Sequence, residues 1–387
     1  MTDFGDQAIL SIDLDALVAN WRKLAAQARN GNPAAECAAV VKADAYGLGA
    51  AEVAPALWRA GCRRFFVAHS TEALALRPAL PENAVIHILH GPSPGAEADL
   101  AAAGLAPVLS TLAQIAAWRD TARRLNRALP AALHIDTGMN RLGLSEAEAE
   151  ALLADPAALE GISLEFVMSH LACADEPEHP LNETQRQRFA HWRRRFPQIK
   201  ASLANSAGIF LGAGYHHDIL RPGIALYGSN PIAPAANALH AAARMAEVAH
   251  LQGKILQVRS VDRGESVGYG AGHIVEKPSR IATVAVGYAD GFPRALSGRG
   301  SAVIKGRQGH VQVPIAGRVS MDLITLDVSA LAPEDCPPGS AVSLLGGGVD
   351  IDIQAAAAGT IAYELLTQLG KRYRRVYRGG HQAESRA

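Results

Sequence analysis

The stretch Ala38-Ala39-Val40-Val41-Lys42-Ala43-Asp44-Ala45-Tyr46-Gly47-Leu48-Gly49 decides the fold. Four apolar residues run into a lysine, and small residues, a tyrosine and two glycines follow at once. Such a run reads as a strand buried on both faces, the pattern of a parallel sheet. Gly47 and Gly49 let the backbone turn tightly into the next helix. Lys42 then stands at the C-terminal end of an interior strand, where α/β barrels place their chemistry. Desolvation there would lower the amine toward a usable nucleophile or base, suited to a Schiff base with an aldehyde cofactor. Taken alone, the stretch leaves open a strand-end lysine that simply reaches into water.

Working outward, the pattern alternates. A strand at Ala8–Ile12 is followed by a helix capped by Asp13 or Asp15 and carried through Trp21 and Leu24. Apolar runs recur at Cys37–Val41, Cys62–Val67, Val85–Leu89, Ala106–Leu109, Ala131–Ile135, Leu164–Met168, Ser202–Leu203 and Ile224–Leu226, with helical segments between. Ser145 with Glu148, and Asn182 with Gln185, have the spacing of helix N-terminal capping boxes. About eight strands in a repeated βα pattern are the arithmetic of a (β/α)8 barrel. Beyond roughly Ala235 the texture changes. The runs Lys254–Val258, Arg280–Val286, Ala302–Ile304, His310–Val313 and Leu323–Val328, with glycine turns between, predict a mostly antiparallel β domain. The Pro231–Pro234 stretch is the natural boundary. The fold class is therefore α/β, a TIM-type barrel followed by a β domain.

Composition narrows the function classes. The 387 residues suffice for a barrel plus an addition, and 49% hydrophobic with 19% charged residues suits a large core rather than a disordered chain. Lysine plus arginine (37) equals aspartate plus glutamate (37), so no bulk field favours nucleic acid or an anionic membrane. Cys37, Cys62, Cys173 and Cys336 are scattered without metal-site spacing, which predicts neither a metal centre nor a disulfide framework and fits a reducing compartment. The acidic start Met1–Asp6 has no apolar segment, and no apolar run is long enough for a bilayer. A cytoplasmic protein is expected.

The lysine stretch resembles the pyridoxal-phosphate motif of bacterial alanine racemases. The likeness recurs in the family's order at IDTGMNRLG (135–143), MSHLACAD (168–175), ANSAG (204–208), RPGIALYG (221–228), VGYGAG (267–272), VGYADGFPR (286–294) and GRVSMD (317–322). It thus covers nearly the whole chain. The resemblance implies a racemase that interconverts L- and D-alanine on pyridoxal 5'-phosphate and supplies D-alanine for peptidoglycan. It implies a homodimer with shared active sites and a small amino-acid substrate. The domain plan is residues 1–12 as a strand joining the β domain, 13–234 as the cofactor-binding barrel, and 235–387 as the β domain that supplies a second base.

Moving an α-proton from one face of an amino acid to the other needs an electron sink and a proton carrier on each face. Lys42 suits one face. The resemblance assigns the other to Tyr269, which lies between glycines and can project from a tight loop; an ordinary turn tyrosine packing its ring is the alternative. A phenol ordinarily titrates at about 10, so a base of this type calls for nearby cations. By the same resemblance Arg221 meets the cofactor's ring nitrogen and His170 lies beside it, where a strand-end arginine and a core histidine are the ordinary readings. A permanent cation there donates a hydrogen bond without leaving the ring readily protonated, which weakens the electron sink and guards against transamination. Phosphate is assigned to Ser206, the amides of Gly223 and Ile224, and the hydroxyls of Tyr46 and Tyr363. The substrate carboxylate is assigned to Arg141 and the amide of Met321, while Tyr288 and Asp322 line the entrance and hydrogen-bond near Tyr269, a salt-bridged surface aspartate being the ordinary reading of Asp322.

Three positions depart from the family's common pattern: His134 in place of a lysine that is carbamylated to brace the substrate arginine, Ser202 in place of a histidine, and Ser320 in place of a cysteine. Arg141 is accordingly expected to have an anion, a water or another side chain as its brace. The rival readings are a serine or broader-specificity racemase, a decarboxylase of the same cofactor class, and a non-catalytic cofactor carrier built from a barrel alone. The decarboxylase would need a cysteine where this chain has Tyr269. The roughly 150 residues after Pro234 argue against the carrier.

Overall fold

In the computed structural model, residues 7–380 are described. The hexapeptide Met1–Asp6 and residues 381–387, which belong to the expected first and last domains, lie outside the described residues. The chain forms two compact units, one of residues 17–246 with Gly380, the other of residues 7–16 with 247–379.

The strand β1 (Ala8–Asp13) opens the chain, and Asp13 Oδ1 accepts the Ala16 N–H at 2.8 Å to start the helix Leu14–Gly31. Of the two candidate caps, Asp13 is the one used. In the first unit follow β2 (Glu36–Cys37), β3 (Ala39–Val40), β4 (Arg64–Val67), β5 (Val85–Ile88), β6 (Ala106–Leu109), β7 (Leu129–His134), β8 (Ile162–Met168), β9 (Lys200–Ser202) and β10 (Ile219–Leu220). From β3 to β9 they pair in sequence order as a seven-stranded parallel sheet. The short β2 precedes β3 on the same strand, and β10 pairs parallel with β2, which closes the ring. Bonds from Ala38 N to Leu220 O and from Asp218 N to Ala201 O, at 2.9 and 3.0 Å, tie the last strand on both sides. The result is the eight-stranded barrel that the alternating pattern predicts. Its strands are apolar on both faces because helices cover them outside and side chains fill them inside.

Two elements differ from the sequence reading. The eighth strand is Ile219–Leu220, and the expected strand Ile224–Leu226 is a 3-10 turn, Ile224–Tyr227. Pro222 has no N–H for a ladder and Gly223 turns the chain, so pairing ends where Pro222 O accepts from Val40 N at 2.9 Å. The expected capping box at Asn182 lies inside a helix that begins two residues earlier, Pro180–Arg195, with His179 as its cap. Proline at the first helical position is pre-set for that role. Ser145 and Glu148, by contrast, form the reciprocal capping box of the helix Glu146–Ala154.

The unit boundary falls between Ala246 and Glu247, twelve residues or so beyond the proline-rich stretch. The intervening segment carries the short helix Ala238–Ala242, and Asn20 holds it by bonding both ways with Ala246.

The second unit contains β11 (Ala249–Val261), β12 (Ser266–Val267), β13 (His273–Ile274), β14 (Ser279–Val284), β15 (Ser301–Gly306), β16 (Gly309–Pro314), β17 (Ile324–Asp327), β18 (Ala341–Leu345) and β19 (Arg374–Arg378). The sheet runs β16-β15-β18-β11-β1-β19, with β14 and β17 branching from β11. All of these pairs are antiparallel except β1 with β19. The helices Ile351–Ala357 and Ala362–Gln368 were not legible from periodicity, being only two turns each.

Candidate active site

The C-terminal ends of the barrel strands collect the polar groups. Just past β3, Lys42 is half-buried, and the backbone behind it is unusual. Ala43, Asp44, Ala45 and Tyr46 all have φ between 52° and 56°, one turn of left-handed helix. L-residues resist that conformation because Cβ crowds the following carbonyl. The turn is closed by Ala45 N to Val41 O and Gly47 N to Ala43 O, at 2.9 and 2.7 Å. Asp44 Oδ1 accepts from Ala50 N at 2.7 Å, at the start of the helix Ala50–Ala60. Burial lowers the Lys42 amine below its ordinary range, the Arg141 cation lowers it further, and Glu72 opposes them.

Past β10, Arg221 is buried and its partners are all neutral. Nη2 donates to Ser169 O at 2.7 Å and Leu203 O at 3.4 Å, and lies 3.5 Å from His170 Nδ1. Nη1 donates to Ser202 Oγ, whose own proton goes to Ile219 O at 2.6 Å. Ser202, one of the departures, thus relays a hydrogen bond from the guanidinium into the barrel wall. Burial alone pushes Arg221 down to about 9. The positive field has a consequence for its neighbours. Burial and then Arg221 hold His170 well below the usual imidazole range and bring His134 to about 4, so both rings are neutral. His134 Nδ1 is 3.4 Å from Ser110 Oγ.

Arg141 is exposed, and no ion pair to it is found among the described residues. Its loop is shaped by Asp136, whose carboxylate accepts the N–H groups of Gly138, Met139 and Asn140 at 2.9–3.0 Å.

Ser206 Oγ accepts from Gly223 N at 2.8 Å and Ala225 N at 3.3 Å. The Tyr46 hydroxyl lies so close to Gly223 that a Cβ there would clash with it. The Tyr46 ring packs on Tyr227 at 4.6 Å, and Tyr227 Oη donates to Val40 O. Ser206, Tyr46, Gly223 and Ile224 therefore share one corner of the mouth.

In the β unit three loops pack together. Tyr269 sits in the turn between β12 and β13, flanked by Gly268 and Gly270 with φ of 78° and 69°, and is 72% exposed. A Cβ on Gly270 would meet Arg318 Nη1 at 2.9 Å, and one on Gly317 would meet Val267 O at 2.7 Å. Tyr288 N and Ala289 N donate to Ser320 O and Met321 O at 3.0 and 2.9 Å, while Ser320 Oγ donates to Leu323 O. Tyr288 and Met321 are exposed. Asp322 was expected to bond near Tyr269; its ion pair is with Arg372 Nη1 at 2.8 Å, and Arg372 Nε also reaches the buried Asp290 at 3.2 Å. Tyr363 belongs to the helix Ala362–Gln368 of this unit and is exposed.

Some supporting residues escaped the sequence reading. Gln185, read only as part of a cap, donates to His170 O at 2.9 Å and accepts from Ala172 N at 2.9 Å, fixing the loop that carries His170. Glu72 is another; its spacing from His69 was the available signal. Among the described residues no group of acidic, histidine and cysteine side chains could hold a metal, and no helix is long and apolar enough to cross a membrane.

A parallel barrel whose mouth gathers an amine, guanidinium groups and neutral imidazoles, on a chain that also builds an antiparallel β unit, defines a two-domain class of barrel enzymes. The family description "Alanine racemase, N-terminal domain" matches residues 12–231, and "Alanine racemase, C-terminal domain" matches residues 248–377. An alanine racemase of Rhodospirillum rubrum is 51% identical over 96% of both chains. A catabolic alanine racemase of Agrobacterium fabrum is 50% identical over 96% of this chain and 92% of its own. Among solved structures, alanine racemase from Bartonella henselae with covalently bound pyridoxal phosphate superposes with a TM-score of 0.87 at 40% identity, covering 96% of this chain and 99% of that one. The chain belongs to the alanine racemase family.

Proposed function

We propose that this protein is a pyridoxal-phosphate-dependent alanine racemase, an isomerase that interconverts L- and D-alanine by two-base proton transfer, with Lys42 and Tyr269 as the bases. The observation that carries the reading is Lys42 itself: a desolvated amine at the end of a barrel strand, facing the Arg141 cation in a mouth that also holds Arg221 and neutral imidazoles. The residues fit the cofactor. The corner of Ser206, Tyr46 and Gly223 has room only because residue 223 lacks a Cβ, and with the amide of Ile224 it offers hydroxyls and amides for a phosphate. A further phosphate hydroxyl is assigned to Tyr363 on the family likeness alone. Arg221, buried among neutral acceptors, would donate to the ring nitrogen, and His170 would lie beside it.

When bound, pyridoxal phosphate supplies the sink for the electrons left by the departing α-proton. The chain's residues do the rest. Lys42 holds the cofactor and then, through Nζ, carries a proton on one face of the α-carbon. Tyr269 Oη carries a proton on the opposite face, taking it from L-alanine. The Arg141 guanidinium and the Met321 amide hold the substrate carboxylate, so that the α-hydrogen is presented to one base or the other. Arg141 is braced by an anion or water that neutral His134 can donate to, and activity does not depend on bicarbonate through this position. Tyr288 and Asp322 border the entrance.

We further propose a homodimer in which each site takes Lys42 from one subunit and Tyr269 from the other. The large exposed side chains of Tyr269, Tyr288 and Met321 on three packed loops support this, since a partner would cover them. Four free cysteines, three of them buried, are consistent with a cytoplasmic protein. The D-alanine formed is a building block for peptidoglycan. The test is incubation of the purified protein with L-alanine and, separately, L-serine, followed by chiral analysis. Borohydride reduction is expected to fix the cofactor's mass on Lys42. No D-alanine, or an adduct on another lysine, would overturn the reading.

A further inference from the structure

We propose that Glu72 is a positioning residue for Lys42: its carboxylate joins the peptide group that follows Lys42 to the start of the neighbouring helix, and so sets where the amine stands. The proposal rests on the reading of Lys42 given above. Glu72 is the third residue of the helix Ser70–Leu76, and Oε2 accepts from Ala68 N and His69 N at 2.7 and 3.1 Å. A helix cap needs no more than that. The other oxygen, Oε1, accepts from Ala43 N at 2.7 Å. That N–H belongs to the peptide bond whose carbonyl is that of Lys42.

Ala43 is also the first of the four left-handed residues, and the bonds within the turn do not use its N–H. Glu72 supplies the acceptor. In register, Val40 pairs with Phe66, so Lys42 lies level with Ala68, whose N–H meets the same carboxylate. One side chain therefore clamps the ends of β3 and β4. The clamp extends to a third strand end, because His90 N donates to Ala68 O at 3.1 Å and its ring meets His69 edge-on at 4.6 Å. The carboxylate also adds charge. Against burial and the Arg141 cation, it favours the protonated form of Lys42. A base that must both take and return a proton works best when neither form dominates.

The test uses the full-length, cofactor-loaded protein and three variants. Glu72→Asp keeps the charge and can still cap the helix, but is a methylene too short to reach Ala43 as well. Glu72→Gln keeps the length and loses the charge, and Glu72→Ala loses both. Hydrogen exchange of the peptide covering residues 42–49 is compared with that of β6 to β8, and kcat for L-alanine, which reports the amine released once substrate is bound, is followed against pH. Glu72→Ala and Glu72→Asp are expected to speed exchange at 42–49 by about tenfold while the other strands are unchanged. Glu72→Gln is expected to move the limb that reports Lys42 to lower pH by about half a unit. If Glu72→Ala does not fold, the other two variants carry the test. Glu72→Asp matching the parent in exchange, or Glu72→Gln leaving the limb in place, would reduce Glu72 to a helix cap and overturn the proposal. Borohydride mapping separates the two readings: an adduct still on Lys42 with unchanged exchange overturns this proposal alone.

Discussion

Replacing Ala43 by glycine should make the protein more stable and less active. Ala43 has φ 52° and its side chain is exposed, so the methyl group makes no buried contact and meets only the cost of its backbone. A left-handed conformation costs an L-residue roughly 1–2 kcal/mol. Glycine removes that cost but loses roughly 0.5–1 kcal/mol to the greater freedom of the unfolded chain. The expected net gain is about 0.5–1 kcal/mol, or roughly 1–4 °C in the melting temperature of a unit this size. Ala45, with φ 53°, is fully buried; the same exchange there also forfeits about 0.8 kcal/mol of methyl burial, so its net effect should be near zero. Ala43→Val should instead destabilise by about 2 kcal/mol or more, because a β-branched side chain is least compatible with positive φ. The assay is built into the chain. All four tryptophans, Trp21, Trp58, Trp118 and Trp192, lie in the barrel unit, so their fluorescence follows that unit's unfolding and not the β unit's. Activity should fall in Ala43→Gly because a freer backbone holds Lys42 less well. A destabilised Ala43→Gly, or a tolerated Ala43→Val, would refute the account of the turn.

Other outcomes follow from the barrel mouth and its field. Ser202→Ala should cost about 1–3 kcal/mol in urea unfolding, since Ile219 O and one Arg221 N–H lose their partner in a buried place. Stability should fall on acidification. His134 and His217 are both held down to about 4 by burial, so below an unfolded value near 6.5 the unfolded chain binds protons that the folded chain refuses. The loss should run from about pH 6.5 to about pH 4, with each ring adding up to about 1.4 kcal/mol per pH unit; His134→Gln should flatten the slope measured by urea midpoints. Tyr269→Phe should keep the cofactor and lose racemisation, and mixing it with Lys42→Ala should restore activity in heterodimers. Verified subunit exchange without recovery would argue that both bases come from one chain.

The readings that depended on neighbours in sequence were available before any coordinates. Strand and helix alternation, Lys42 at a strand end, a cap at Asp13 or Asp15 and Ser145 with Glu148 all express periodicity or spacing within a few residues. What the tertiary structure decided was where partners distant in sequence meet. The eighth strand is two residues long and exists because β2 is there to pair with it, which no local pattern announces. Arg221 takes neutral acceptors from Ser169, Ser202 and Leu203 on two other strand ends, so the neutrality of His134 and His170 could not be inferred from their own surroundings in the chain. Asp322 found Arg372, fifty residues on. The left-handed turn was hidden for a different reason. Ala and Tyr resist positive φ and Asp adopts it only as a single residue, and the closed barrel, with Glu72 reaching Ala43 from the next βα unit, holds four such residues in a row.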